Sequence, residues 1–396
     1  MPPLGRYENW HQWQSVVYGT DALGELSTEL DRVGARRVWV VTTPSLVREG
    51  RVLGSVVDAL GDRWVGTFGE CRQYVPRAAV VSAAADARAF DPDLILSVGG
   101  GSVVDTAKGA ALMVREGLSA PEDLEPYRMA TSGGPRSLGG SPLPIFAFPT
   151  TLSGAEYTGM IGITDEKSGH REPYRDDRLA PNTVFLDPAV SLATPDTLWC
   201  ATGIKSLSDA FEQYSTGVAG PVMEPLTLRA FEWLHRYLAA SVAGDIDARL
   251  HCQIASWLTL YGVFNASTKV GIGAAIRHQL GMLHGIRHGE ATCGILTPVV
   301  RRTAPSEPDR LSALVRAAGC DPQEGDETKL RDALAARLGD LLRRLKLPTS
   351  LAELGLSKSD LDLLAERAAG DFAARTRTAR VWTPPELRGL LEEAFE

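Results

Sequence analysis

The chain has 396 residues, enough for two domains with a large core. With 41 basic and 49 acidic side chains its formal net charge is −8, which argues against nucleic acid and anionic membrane as partners. Apolar residues make up 44%, no apolar run reaches a membrane span, and the N-terminal MPPLGRYENWHQWQ lacks the basic-then-apolar pattern of a secretion signal, so a soluble, cytoplasmic protein is expected.

In chain order, the Trp10 and Trp13 pair reads as packing or a dimer contact. RRVWVVTT from Arg36 reads as a strand, residues 44–60 as helical, and RWVGTF from Arg63 as a second strand. An Ala-rich helical pattern covers 76–90, and DLILSV from Asp93 is a third strand that runs into Gly99-Gly100-Gly101, with a helix from Ser102. Residues 118–142, with SGGPRSLGGSP, read as a loop. Further strands are PIFAFPT from Pro144, GMIGIT from Gly159 and TVFLD from Thr183. Alternating strands and helices predict a mostly parallel, Rossmann-like sheet covered by helices. After Asp187-Pro188 strand runs stop, and Leu330, Leu334, Leu338, Leu341, Leu342 and Leu345 recur at helical spacing as a packing face. The expected organisation is α/β plus all-α: an α/β domain over 1–190 and an all-helical domain over 191–396. ARTRTAR from Ala374 reads as a solvated surface or a carboxylate contact. The five cysteines, Cys71, Cys200, Cys252, Cys293 and Cys320, form no CxxC pair, so neither a disulfide framework nor a thiolate zinc site is indicated.

Three stretches carry chemistry. SVGGGSVVDTAKG from Ser97 hands a strand over to a helix, where glycines admit close backbone approach and first-turn N–H groups suit a pyrophosphate. It is not GxGxxG. Read alone it is a phosphate or nucleotide site, or a tight turn with Asp105 in the first helical turn. FPTTLSGAEYTG from Phe148 offers the hydroxyls of Thr150, Thr151 and Ser153 at a second strand end, and two such loops define a ligand crevice. ATGIKSLSDAFEQY from Ala201 puts Lys205 and Asp209 one helical turn apart, as a surface ion pair or as an active-site floor. RHQLGMLHGIRHG gathers His278, His284 and His288, and imidazole titrates near working pH.

Together, FDPDLILSVGGGSVVDTAKG, PTTLSGAE, RLAPNTVFLDPAVSLATP, ATGIKSLSDAFEQY, RHQLGMLHGIRHGEA and LPTSLAELGLSKSDLDLLAE resemble, in order, the iron-containing alcohol dehydrogenase superfamily, which includes the maleylacetate reductases. The resemblance implies a nicotinamide-binding α/β domain, with Thr43, Gly99, Gly100, Gly101, Ser102, Asp105, Thr150, Thr151 and Ser153 expected at the coenzyme, a helical domain, an active site in the cleft between them, and hydride transfer between NAD or NADP and an alcohol or carbonyl. It also implies a dimer or larger assembly. The short PTTLSGAE loop and VVTTP are similar to the maleylacetate reductase branch. Thr43 stands where many members carry an Asp that repels a 2′-phosphate, which leaves NADP open.

Metal-dependent members hold their ion with an Asp and a His four apart on one helix and two further His. Those positions are Lys205, Asp209, Ala274 and His288 here, so only His288 survives. One His and one Asp make a poor cation site, and an ammonium beside them repels a cation. No metal is therefore expected, with His288 and Asp209 as the residual candidates. Lys205 is expected to supply the missing positive charge, paired with Asp209, and His278, matching the family's His beside the nicotinamide, to carry a proton or bind substrate. His288 binds substrate or is a relic, and His284 caps or lines its loop. The leading expectation is a metal-independent oxidoreductase of small alcohols or carbonyls, keto acids included. A dehydrogenase with a rearranged metal site and a catalytically silent nucleotide-binding member are the alternatives, while a cyclase of the dehydroquinate synthase type fits badly.

Overall fold

Continuous apolar runs become the central strands of a sheet. A computed structural model describes residues 5–9, 14–216, 220–265, 271–322, 326–375 and 381–396. Trp10 and Trp13 lie outside the described residues, as do the side chains of the ARTRTAR segment. The chain divides into two units, Met1–Thr194 and Pro195–Glu396.

The first unit contains, in order, β1 (Gly5–Asn9), β2 (Gln14–Tyr18), α1 (Leu26–Val33), β3 (Val38–Val41), α2 (Pro44–Glu49), α3 (Arg51–Leu60), β4 (Trp64–Phe68), α4 (Arg77–Phe90), β5 (Leu94–Gly99), α5 (Gly101–Glu116), β6 (Ile145–Pro149), β7 (Met160–Thr164), β8 (Arg171–Arg175), β9 (Thr183–Leu186) and α6 (Pro188–Ser191). The sheet order is β1-β2-β9-β6-β5-β3-β4, with six parallel strands and β1 antiparallel at one edge. β3, β5, β6 and β9 are buried along their whole length, as parallel strands covered on both faces must be. Alternation sorts their side chains between two cores. Val38, Val40, Leu94, Leu96, Val98 and Phe146 face the α1 and α3 side, whereas Trp39, Val41 and Ile95 meet the alanines of α4 and α5.

Two expectations are corrected. GMIGIT is a strand, but it forms a separate antiparallel hairpin with β8 instead of joining the main sheet. Its alternating exposure, with Ile161 and Ile163 buried, is that of a one-sided hairpin. Residues 44–60 form two helices broken at Gly50, whose φ of 78° no regular helix accepts. The N-terminal hairpin β1–β2 was not legible as strands.

The second unit contains α7 (Asp196–Ser215), α8 (Gly220–Val242), α9 (Ile246–Asn265), α10 (Ile272–His284), α11 (His288–Thr303), α12 (Pro308–Ala317), α13 (Glu327–Arg344), α14 (Leu361–Arg375) and α15 (Pro384–Phe395), with no strand among the described residues. The leucine face of α13 is buried, as its spacing predicts. Ile276, Leu280, Ile295, Leu364, Ala368, Leu387 and Leu391 pack α10, α11, α14 and α15 into one core. No described helix is long and apolar enough to cross a membrane.

One buried histidine of this unit makes folding sensitive to acid. His235 on α8 is 7% exposed, stacks on Phe231, and its Nε2 has no hydrogen-bond partner among the described residues. Burial pushes its pKa down to about 4, and the nearby Arg337 and Arg344 charges act in the same direction. The folded state thus binds fewer protons than the unfolded chain, whose histidines titrate near 6.5. Stability is complete above that value and is lost as pH falls toward 4, by about 2 kcal/mol at pH 5. Denaturant midpoints at pH 7 and pH 5 should therefore differ less in His235→Leu than in the unaltered chain.

Candidate active site

In the first unit, three neighbouring strands end in polar loops at the carboxyl edge of the sheet: β3 at Thr43, β5 at Gly99–Gly101, and β6 at Thr150–Ser153. The glycine turn and the hydroxyl loop approach closely. A Cβ on Gly100 would stand 2.8 Å from the Thr151 methyl, and one on Gly101 would stand 3.0 Å from Ser153 Oγ. The Thr150 N–H donates to the Gly99 carbonyl at 3.0 Å, and Thr151 Oγ1 donates to Ser153 Oγ at 3.1 Å. α5 starts at Gly101 with Ser102 in its first turn, so its orphan N–H groups face out of this turn, an arrangement that suits an anion. Thr43 caps α2, accepting from the Leu46 N–H at 3.3 Å and pairing with Ser45 Oγ at 2.8 Å.

Asp105 is placed differently from its expected role at the coenzyme. Its Oδ2 accepts from the Gly162 N–H at 3.1 Å and from Arg171 at 3.0 Å, so it ties α5 to the β7–β8 hairpin. Lys108, one turn on, is fully buried and donates to the Ala155 and Met160 carbonyls at 2.7 and 2.9 Å. Burial pushes its pKa down to about 8 against the opposing charges of Asp105 and Glu156. The DTAK part of the motif therefore holds the hydroxyl loop from behind.

In the second unit, α7 carries Lys205 and Asp209 on one face, with Lys205 Nζ 2.8 Å from Asp209 Oδ2. This is no solvated surface pair: the side chains are 15% and 5% exposed. The other oxygen, Oδ1, accepts from Arg277 of α10, a third charge that was not foreseen. Burial raises the Asp209 pKa, but the Arg277 and Lys205 charges outweigh it and hold the carboxyl below its ordinary value. Glu212, one turn further along α7, accepts from the Gly273 N–H at 3.0 Å. Burial pushes its pKa up to about 7, with Arg277 opposing and Asp209 adding to the rise. Gly271 and Gly273 leave it room, since a Cβ on either would stand 2.0 or 2.6 Å from a Glu212 oxygen.

α10 connects this cluster to the histidines. While Arg277 reaches Asp209, its neighbour His278 reaches Asp371 of α14, with Nδ1 2.9 Å from Oδ2. His288, the first residue of α11, sets its ring at 89° to that of His278, with centroids 6.4 Å apart. His284 is exposed at the end of α10. Among the described residues, no group of three or more His, Cys, Asp or Glu is arranged to hold a metal ion. Arg277 could have been suspected from its place beside His278, and Glu212 from the shared face with Asp209. Asp371, 93 positions from its partner, left no signal.

A parallel sheet with a glycine-rich turn at its carboxyl edge, followed by a helical unit with buried charges and a histidine pair, defines a nucleotide-binding α/β class with a charged helical unit. Comparison with known proteins gives the family. Residues 14–188 match the iron-containing alcohol dehydrogenase model, and residues 199–395 match the Fe-containing alcohol dehydrogenase family, C-terminal model. The chain is 27% identical to a maleylacetate reductase of Sphingobium indicum over 96% of its own length and 95% of the relative's. It is 29% identical to a 4-hydroxybutyrate dehydrogenase of Cupriavidus necator, covering 94% and 96%. The structure of a sulfoacetaldehyde reductase from Bifidobacterium kashiwanohense in complex with NAD+ superposes with a TM-score of 0.82 at 23% identity, covering 98% of this chain and 99% of that one. The chain belongs to the iron-containing alcohol dehydrogenase family and is an NAD(P)-dependent oxidoreductase of alcohol and carbonyl groups.

Proposed function

We propose that this oxidoreductase works without a bound metal, the Lys205 ammonium acting on the substrate oxygen in the metal's stead. The observation that carries this reading is the Asp209 carboxylate held between two cations, Lys205 on one oxygen and Arg277 on the other. A divalent ion needs several anionic or imidazole donors about one point. Here the four positions hold an ammonium, a carboxylate already taken, the Ala274 methyl and one imidazole, so this donor set does not fit a metal.

The residues at the sheet edge suit a dinucleotide: α5 opens at Gly101 with first-turn N–H groups fit for a pyrophosphate, and Gly100 and Gly101 let the hydroxyls of Thr151 and Ser153 pack close to that turn. Gly99, Gly100, Gly101, Ser102, Thr150, Thr151 and Ser153 hold the coenzyme, and Thr43 meets the adenosine ribose without repelling a 2′-phosphate, so NADP is accepted as well as NAD. When bound, NAD(P) supplies or accepts the hydride. Asp105 acts only by positioning the helix and hairpin behind the loop. Lys205 donates an N–H to the substrate oxygen and stabilises its developing negative charge, with Asp209 as counter-ion. His278 exchanges the proton on that oxygen, and His288 beside it contributes a second hydrogen-bonding ring to the substrate. The maleylacetate reductase and 4-hydroxybutyrate dehydrogenase relatives are named for carboxylate-bearing compounds, which supports a substrate of that class.

The test is metal content by mass spectrometry on protein purified without chelator, with turnover of maleylacetate and 4-hydroxybutyrate followed before and after chelator, zinc and iron. Metal below about a tenth of an equivalent with unchanged turnover is the expected result. Near-stoichiometric metal required for activity would sink the proposal and redirect attention to Asp209 and His288.

A further inference from the structure

Two helices of the second unit bring a carboxylate and an imidazole together. Asp371 Oδ2 lies 2.9 Å from His278 Nδ1, and the side chains are 11% and 26% exposed. An ionised carboxylate can only accept, so in the neutral ring the proton of this bond sits on Nδ1. The lone pair then lies on Nε2, on the far side of the ring from Asp371. Packing does not need this pair, because Ile276 and Leu280 of α10 already meet Leu364 and Ala368 of α14 in a fully buried core. A single hydrogen-bonded pair at the rim of such a core adds little to a contact the apolar side chains already make. A ring accessible to solvent and oriented by a shielded carboxylate instead has the geometry of a positioned proton carrier.

We propose that Asp371 is a positioning residue for proton transfer: it holds His278 as the Nδ1–H tautomer and aims Nε2 at the substrate oxygen. This rests on the reading of His278 as the proton carrier. In the reductive direction the carbonyl carbon gains the hydride that bound NAD(P)H supplies, and the C=O π pair becomes a new O–H bond with the proton from imidazolium Nε2. The ring is left neutral, with its remaining proton on Nδ1 facing Asp371, and recovers the other proton from water. The carbonyl is reduced and the coenzyme oxidised by the same two electrons. Oxidation of the alcohol runs the same transfers backwards, with Nε2 as the base.

The experiment uses the full chain labelled with ¹⁵N in its histidines. Long-range ¹⁵N–¹H correlation reads the tautomer of each ring, His278→Gln assigns the signal, and kinetics use maleylacetate and 4-hydroxybutyrate as probes. The expected results are an Nδ1–H signal for His278, its shift toward Nε2–H in Asp371→Asn, and a fall in kcat of about 100-fold in that variant with coenzyme KM unchanged. Asp371→Glu should recover part of the loss. An unaltered tautomer in Asp371→Asn, or kcat within about threefold of the parent, overturns the proposal. The tautomer is read without turnover, so it separates failure of this assignment from failure of the proposed reaction. Should Asp371→Asn not fold, the tautomer of the parent protein decides: Nε2–H there refutes the assignment and Nδ1–H supports it.

Discussion

Lys205→Ala is expected to lower kcat by about 10²- to 10³-fold while leaving NAD(P)H affinity unchanged. The size follows from the task. Hydride transfer to a carbonyl places negative charge on oxygen, and one well-aimed donor in a site shielded from water is worth several kcal/mol to that charge. Lys205 is only 15% exposed, and its ammonium is anchored 2.8 Å from a carboxylate that is 5% exposed. A surface ion pair would behave otherwise: its loss costs about 0–1 kcal/mol of stability and nothing in rate. The coenzyme is expected to bind through Gly100, Thr151 and their neighbours, on other strands and loops, so its fluorescence titration should not move. Lys205→Arg is the informative companion. It keeps the charge but changes the donor from a compact point to a planar fork, so it should restore part of kcat and none of the parent's full rate. If Lys205→Ala retained kcat within about threefold, the ammonium would not be the electrophile.

Much of this architecture is visible along the chain. VWVV, LILSV and IFAF are unbroken apolar runs, and such runs become strands buried on both faces. The α/β half and the helical half follow from where those runs stop. GMIGIT carries the same kind of signal but sits in a hairpin, because membership of a sheet depends on pairing partners that no local pattern encodes. The site divides in the same way. Lys205 and Asp209 are legible because helical geometry alone makes residues four apart neighbours. Asp105 looked like a coenzyme contact because it sits in the glycine motif, but its position on the helix turns it toward Arg171, which lies 66 residues later on a strand that was not foreseen. Arg277 and Asp371 reach partners 68 and 93 residues away, the second across the α10–α14 pair, which is packed by Ile276, Leu280, Leu364 and Ala368 rather than by charges.

Asp209→Ala should destabilise the second unit by about 3–5 kcal/mol, read as a lower denaturant midpoint from the fluorescence of Trp199, a fully buried residue of α7. Removing one member of a buried ion cluster leaves the others uncompensated, and here it leaves two cations, Arg277 at 7% exposure and Lys205 at 15%, facing each other. The loss has a built-in buffer. Glu212 sits beside the cluster with its pKa raised to about 7, first by burial and in part by the Asp209 charge, while Arg277 pulls it down. Without Asp209, the carboxyl of Glu212 loses a repulsive neighbour and gains an unpaired guanidinium, so it ionises more readily and takes over part of the compensation. The sign of the coupling follows. Glu212→Gln alone should be mild near neutral pH, since the carboxyl it replaces is already partly protonated there. The double variant should be less stable than the sum of the two single changes, by about 1–2 kcal/mol in a double-mutant cycle, because it removes the buffer with the anion. Strict additivity would mean that Glu212 does not sense Arg277, and that the four charges do not act as one network.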